Sequence, residues 1–390
     1  MMKKTLSFLL LFLVLFTLPV HAEEQEDDTS SAASWQQYYD DQMEKSGAND
    51  LKDELPNDTK KMMENAGIYE ADWQSLANLN PGNLFGTIFG VAKEKSPAPF
   101  AAIAQILAVI LLCALIDGLK LSFSEGPLGG LMGVVGTLCI CVILVSPIVN
   151  CIASAASVIQ GAATFMLCYV PVIAGIMIAG GQTVSAGSYH LMMMGAGEII
   201  SQIASRFLVP LLNVFLSISI VSSISAKLNL KGICDMFYKV VKWVLGLSMT
   251  IFVSLMTIQS LVGTAADGTG NKAAKFLISS FVPVVGGALG EAFSTVQGCV
   301  KLLKSGVGAF GIIAAAFIFL PTIVECLLWQ LTVQVSAAVS DIFELRQISD
   351  LLRAAGKVLS MMLSIILCCV TILIVSTVIV LMIGGGGGAA

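Results

Sequence analysis

Charged residues are scarce in this sequence of 390 residues. Asp, Glu, Lys and Arg make up 12% of it, whereas 56% of the chain is hydrophobic and the mean hydropathy is +0.87. A soluble domain carries about 25% charged residues. This shortage excludes an ordinary soluble protein and predicts long segments dissolved in lipid. The absence of a basic stripe also argues against nucleic acid as a partner.

Metal-binding and catalytic patterns are absent from the sequence as well. It has two histidines, His21 and His190, and its ten cysteines never show CxxC spacing. Four zinc ligands cannot be assembled at the usual spacings from this set. Walker, HExxH and GxSxG motifs are also missing. We therefore expect no enzyme activity, no catalytic residue, no cofactor and no metal site, and we interpret the cysteines as small buried hydrophobic residues.

The amino terminus predicts a signal peptide over residues 1–22. Lys3 and Lys4 precede a short apolar run, which Pro19 ends ahead of small residues suited to cleavage. An uncleaved anchor helix is the alternative, although the run is shorter than the ~20 residues that a span needs.

Residues 23–99 predict a small acidic α-helical segment outside the cytoplasm. The stretch 23–96 holds 16 of the 26 acidic residues but only 6 of the 21 basic ones. Apolar residues return there at helical spacing, and Leu84, Phe85, Ile88 and Phe89 form one face of a helix. That face either rests on the membrane surface or packs against protein.

From residue 100 to 383 the pattern predicts an all-α, polytopic membrane bundle, followed by a glycine-rich tail over 384–390. The number of spans is seven or nine. A cleaved signal places residues 23–99 outside the cytoplasm, and the positive-inside rule places the Lys-rich linker 226–242 inside. An odd number of crossings must lie between them, so either 100–116 does not cross or 188–203 does. The candidate apolar runs are 100–116, 128–149, 158–180, 204–225, 243–263, 276–290, 306–333 and 358–383.

Three matched blocks predict an internal repeat with halves at about 158–263 and 270–383. Tyr169–Gly175 resembles Phe281–Gly287, Phe207–Pro210 resembles Ile318–Pro321, and Asp235–Lys242 resembles Asp350–Lys357. Three apolar runs in each half would invert the second copy. The Lys-rich linker and Lys301 with Lys304 would then lie inside, and the linker 341–357 outside.

Polar and helix-breaking residues within the apolar runs are the candidate functional positions. Glu325 lies four residues after Pro321, without a charged neighbour in the sequence, and an acid in lipid needs a partner or a cavity. Glu198 and Arg206 could pair or reach the interface. Prolines free a backbone carbonyl and mark either tight packing or broken helices around a path; they are Pro147, Pro171, Pro210, Pro283 and Pro321.

Asp267-Gly-Thr-Gly270 superficially resembles the Asp-Thr-Gly of aspartic proteases, but the residue order differs and a second copy is missing. We expect a turn between two membrane runs there.

The same region carries a family resemblance. Ala265-Ala-Asp-Gly268, Lys272-Ala-Ala-Lys-Phe276 and Phe281-Val-Pro-Val-Val285 resemble the stage III sporulation protein AE family of endospore-forming bacteria, and the layout of the whole chain agrees. The resemblance implies a multi-pass protein of the mother-cell membrane around the forespore. Implied partners are other stage III sporulation proteins of the same operon, including a secretion-type ATPase, and a forespore-side channel protein.

The function that the resemblance implies is a membrane subunit of a channel or secretion-like complex between mother cell and forespore. Two other hypotheses stay open: an autonomous small-solute transporter that uses Glu325, and a structural scaffold that docks partners through residues 23–99. The family supplies no catalytic residues.

Overall fold

A computed structural model describes residues 29–71, 81–120, 129–224, 231–281 and 286–383. These ranges are helical throughout apart from short turns, and none of them contains a strand, which confirms the all-α class. The predicted signal peptide, Pro283 and the glycine-rich tail lie outside them. By proximity of Cα atoms the chain divides after Tyr38, and residues from Tyr39 onward form one compact unit.

The described residues form ten α-helices, α1 to α10 in chain order. A 3-10 turn, Ala48–Lys52, follows α1, and a π-helical turn, Ile203–Leu208, separates α6 from α7. The helices are α1 Thr29–Ser46, α2 Asn57–Asn65, α3 Pro81–Lys95, α4 Pro97–Lys120, α5 Gly129–Ala179, α6 Thr183–Gln202, α7 Val209–Ile224, α8 Lys231–Phe281, α9 Gly286–Ile342 and α10 Arg346–Met382.

The longest helices exceed the thickness of a bilayer. α5 and α8 have 51 residues each and α9 has 57; at a rise of about 1.5 Å per residue, 51 residues extend about 77 Å. Among the described residues, five helices are long and apolar enough to cross a membrane. They contain residues 97–118, 133–179, 232–270, 296–342 and 346–382.

Two boundaries expected from the sequence are wrong. The separate runs 128–149 and 158–180 belong to one continuous helix, α5, which continues through Pro147 and Pro171. The turn expected at Asp267–Gly270 lies inside α8. A helix satisfies its backbone hydrogen bonds internally, so it continues through these residues even though they are common in turns. Pro147 and Pro171 each remove one of those hydrogen bonds.

The core of the bundle lies between α5, α9 and α10. α5 and α9 run antiparallel, since Gly180 faces Val300, the Tyr169 ring lies on Gly311, and Cys151 lies beside Glu325. α10 also runs antiparallel to α9 and packs along its length. The largest fully buried side chains of the bundle include Phe165, Tyr169, Tyr189, Phe215, Phe310 and Phe319.

The expected inverted arrangement of the two linkers is also wrong. Asp235 Oδ1 accepts a hydrogen bond from Lys357 Nζ at 2.6 Å, so linkers predicted on opposite sides meet at one end of the bundle. Further along, Met249 Sδ lies 3.9 Å from Cys368 Sγ. α8 and α10 therefore run parallel, which is the opposite of what an inverted repeat requires of these matched segments.

Part of the acidic segment packs directly on the long helices. The 3-10 turn lies against α5, and α2 and α3 lie against α9. A Cβ on Gly161 of α5 would lie 3.9 Å from Pro56 Cγ, which fixes the depth of this contact along α5. Of the expected apolar face of α3, Phe85 and Phe89 are exposed rather than buried.

Candidate functional site at Glu325

Glu325 has a charged partner that the sequence did not suggest. Lys95, the last residue of α3, places its Nζ 3.5 Å from Glu325 Oε2. The side chains are 37% and 23% exposed, respectively, so the pair is partly desolvated. Cys151 of α5 directs its Sγ toward Glu325 Oε1 at 3.8 Å. Glu325 thus joins three helices that are distant in sequence.

One proline-rich turn positions this ion pair. α3 ends at Lys95, and α4 begins two residues later at Pro97, a favoured residue for the first turn of a helix. The Pro99 carbonyl accepts a hydrogen bond from Thr332 Oγ1 at 3.3 Å, which fixes the start of α4 to α9. The start of α4 and the end of α3 are therefore held beside Glu325.

A polar groove of ≈670 Å³ opens next to the pair. It lies between α2, α3 and α9, and Pro321 supplies the α9 wall. Gly86 and Gly90 of α3 face open space there, since a Cβ on either residue would meet nothing within 4 Å. The polar residues that line the groove are Asp58, Lys61, Asn65, Asn83, Thr87, Glu94 and Lys95.

A second polar cluster lies at the other end of α9. Lys304 is only 4% exposed, and its Nζ donates to Ile383 O at 2.6 Å and to Gln182 Oε1 at 3.1 Å. The ammonium group therefore caps the carboxyl end of α10, where helix carbonyls lack partners. No pattern in the sequence distinguished Lys304 from the exposed Lys301.

Asp267 of α8 caps another helix at the same end. Its carboxylate accepts hydrogen bonds from the Val184 N–H at 3.0 Å and the Ser185 N–H at 2.9 Å, at the amino end of α6. Asp267 is 6% exposed, so this interhelical cap is buried. The sequence singled Asp267 out through the family-like block and the Asp-Gly-Thr-Gly stretch, and its expected role as a turn residue was wrong.

The remaining predicted positions do not come together at Glu325. Glu198 accepts a hydrogen bond from Gln202 Nε2 at 2.7 Å, and within the described residues no ion pair joins it to Arg206. Arg206 is exposed in the π-helical turn that ends just before Pro210. A proline removes one backbone donor, which explains a break in the α-helical pattern at that point.

The chemistry of these sites is ion pairing and capping. In the part of the chain that the structure describes, no group of three His, Cys, Asp or Glu side chains could hold a metal ion. Seven of the ten cysteines are buried, as interpreted from the sequence: Cys113, Cys141, Cys151, Cys234, Cys299, Cys326 and Cys369.

Apolar helices long enough to cross a bilayer, joined by a few buried polar anchors, define a helical membrane protein. The family model for stage III sporulation protein AE matches residues 72–385. The chain therefore belongs to the stage III sporulation protein AE family, as its sequence resemblance indicated.

The chain is also similar to the protein named stage III sporulation protein AE from Bacillus subtilis (strain 168). The two are 20% identical over 235 residues, which cover 60% of this chain and 59% of that relative. The match thus spans less than two thirds of the relative's own length. No solved structure matches the chain significantly.

Proposed function

We propose that the chain is a membrane subunit of a channel or secretion-like complex between mother cell and forespore, and that it has no catalytic activity of its own. Membership in a sporulation family supports the setting. The observation that carries the proposal is the Glu325–Lys95 pair beside a polar groove, in a bundle whose neighbouring helix α5 has no charged residue along its 51 residues. Charge inside such a bundle is costly and is retained for partners or passage.

The proposal extends to partners and placement. The complex would contain other stage III sporulation proteins of the same operon, a secretion-type ATPase that supplies energy, and a forespore-side channel protein. The chain would lie in the mother-cell membrane around the forespore, with residues 23–99 outside the cytoplasm. Five of the described helices are long and apolar enough to cross the membrane, and in this proposal they form the multi-pass domain.

Complementation of a deletion strain in a spore-forming host tests the proposal. Without the gene, engulfment should begin normally and forespore development should then stop. Glu325→Gln and Lys95→Gln should each lower the titre of heat-resistant spores, with unchanged protein amounts by immunoblot. Glu198→Gln is the matched control, because that carboxylate lies on another helix and bonds only its neighbour Gln202 among the contacts described. A normal spore titre in the deletion strain would refute the proposal.

The autonomous transporter is the second candidate, favoured by the same ion pair at a groove. Purified chain in liposomes would then conduct solute, and Glu325→Gln would abolish the flux. The channel-subunit proposal predicts no flux from the chain alone and restored flux only with its partners. A scaffold would instead keep normal function in both Glu325→Gln and Lys95→Gln and lose assembly when residues 35–90 are deleted.

A further inference from the structure

Charge-free stretches of several helices lie at one common depth. α8 has no charged residue between Lys242 and Asp267, and α9 has none between Lys304 and Glu325. These 24 and 20 residues extend about 36 Å and about 30 Å, close to the ~30 Å of a hydrocarbon core. We call this part of the bundle the charge-free layer.

Contacts fix both ends of that layer. At one end Lys304 binds Gln182 and Asp267 binds Ser185, so both charges lie near the turn between α5 and α6. At the other end Gln330 of α9 lies 3.6 Å from the position of a Cβ on Gly356, next to the Lys357–Asp235 pair. The layer therefore has the same limits on α8, α9 and α10.

One face of the layer is apolar and uncovered. In the most apolar 18 residues of α8, only 6% of the residues are buried. Trp243, Leu255, Ile258 and Leu261 are each between 49% and 68% exposed, and they recur at helical spacing. Such a face matches lipid.

A different face of the same layer carries charge. Pro56 meets α5 at Gly161, and Gly47 meets it at Val172, where a Cβ on the glycine would lie 3.9 Å from Val172 Cγ2. Both positions lie between Cys151, which marks the depth of Glu325, and Gly180, which marks the depth of Val300. The acidic segment thus docks inside the layer rather than beyond its end.

The docked segment exposes carboxylates at that depth. Asp50, Asp53, Glu54, Asp58 and Glu64 are exposed, and two of them form surface ion pairs, Asp53 with Lys60 and Glu64 with Lys52. Exposed charges, whether single or in surface ion pairs, do not face hydrocarbon, because they lose their hydration there. α8 packs on α6, α9 and α10, whereas the acidic segment packs on α5 and α9. The bundle therefore needs lipid on one face and water on the other.

We propose that residues 47–71 line a water-filled passage within the depth of the membrane, while the α8 face contacts lipid. Rings or rows of carboxylates along such a passage concentrate cations, so the passage favours cations and cationic solutes. Further copies of the chain or its partners complete the wall. The inference rests on the proposed channel function and names the element that lines the path.

Cross-linking tests the docking in membranes of the full-length protein. In a background with Cys139, Cys168 and Cys368 replaced by serine, Pro56→Cys with Gly161→Cys should form a disulfide under copper phenanthroline and oxygen. Pro56→Cys with Gly175→Cys is the control, since Gly175 lies 14 residues further along α5 and about 21 Å away. A pair at 56 and 161 that does not cross-link overturns the inference.

Nitroxide accessibility tests which face meets water. With the same background in phosphatidylcholine–phosphatidylglycerol vesicles, a nitroxide at Asp58→Cys should be relaxed more by a nickel chelate than by oxygen, and one at Ile258→Cys should show the reverse ratio. Lys61→Cys, in the same groove, replaces Asp58→Cys if that variant does not accumulate. Chelate-inaccessible nitroxides at both groove positions, or an Ile258 nitroxide shielded from both reagents by protein, would overturn the proposal.

These results are separable from the test of function. A chain that supports sporulation but does not cross-link contradicts the lining role alone. A chain that cross-links and shows the predicted accessibility, but is dispensable for spores, contradicts the proposed function alone.

Discussion

Replacing Gly311 by alanine should destabilise the bundle, because the Tyr169 ring occupies the space that the new methyl group needs. A Cβ built on Gly311 would lie 2.5 Å from Tyr169 Oη, and the ring carbons are as close. Ordinary van der Waals contact lies at 3.4–4 Å. Tyr169 is 1% exposed and stacks on Phe165 with ring centroids 5.5 Å apart, so the ring has little room to withdraw.

The size of the effect follows from two opposing terms. Alanine favours a helix over glycine by about 1 kcal/mol, whereas overpacking of a filled core costs about 1–3 kcal/mol. Gly175→Ala on α5 is the matched control, since a Cβ there meets nothing within 4 Å. It carries the first term alone, so the two variants should differ by about 1–3 kcal/mol in the free energy of unfolding.

Unfolding by SDS titration in mixed micelles measures this difference. Tyr169→Leu removes the ring and should partly rescue Gly311→Ala, with a favourable coupling of about 1–3 kcal/mol in the double-mutant cycle. If Gly311→Ala were as stable as Gly175→Ala, or if the two changes were simply additive, the packing of α5 on α9 described above would be wrong.

Three further predictions concern the polar anchors, each measured by the same titration. Asp267→Ala should cost about 0.5–2 kcal/mol, the usual loss for a helix cap, because the N–H groups of Val184 and Ser185 in α6 lose their acceptor. An unchanged stability would refute the interhelical cap. Lys304→Met should cost about 1.5–3 kcal/mol, because its charged hydrogen bonds are lost. Lys301→Met is the control at an exposed position and should be nearly neutral. Equal losses of stability in the two variants would contradict the burial of Lys304. Arg353→Ala should cost no more than about 1 kcal/mol, since its ion pair with Asp341 joins side chains that are 63% and 44% exposed; a larger loss would mean that the pair is shielded by another chain.

Hydropathy was enough to predict the helical class, because an apolar backbone in lipid has few other ways to satisfy its hydrogen bonds. Glu325 and Pro321 were also found from the sequence, since a charge or a proline is conspicuous in an apolar run. The ends of the helices were harder to predict from the sequence. Nothing between 150 and 157 forces a break, so two apolar runs became one helix.

The sequence pattern could not predict contacts between residues that are distant along the chain. Lys95 and Glu325 are 230 residues apart, and the pairing of Asp235 with Lys357 depends on how whole helices align. The positive-inside rule placed the Lys-rich linker in the cytoplasm, and the three crossings expected between the two linkers then placed 341–357 on the opposite side. The salt bridge that neutralises both charges is visible only once α8 and α10 are known to run parallel.

The bond from Lys304 to the Ile383 carbonyl has a consequence for synthesis of the protein. The two residues are 79 positions apart, and Ile383 directly follows α10, so a ribosome must translate all of α10 before that ammonium group gains its acceptor. Until then, a cation at that end of the bundle retains water around it. Chains that stop short of residue 383 therefore lack this acceptor and leave the Lys304 ammonium group hydrated at that end of the bundle.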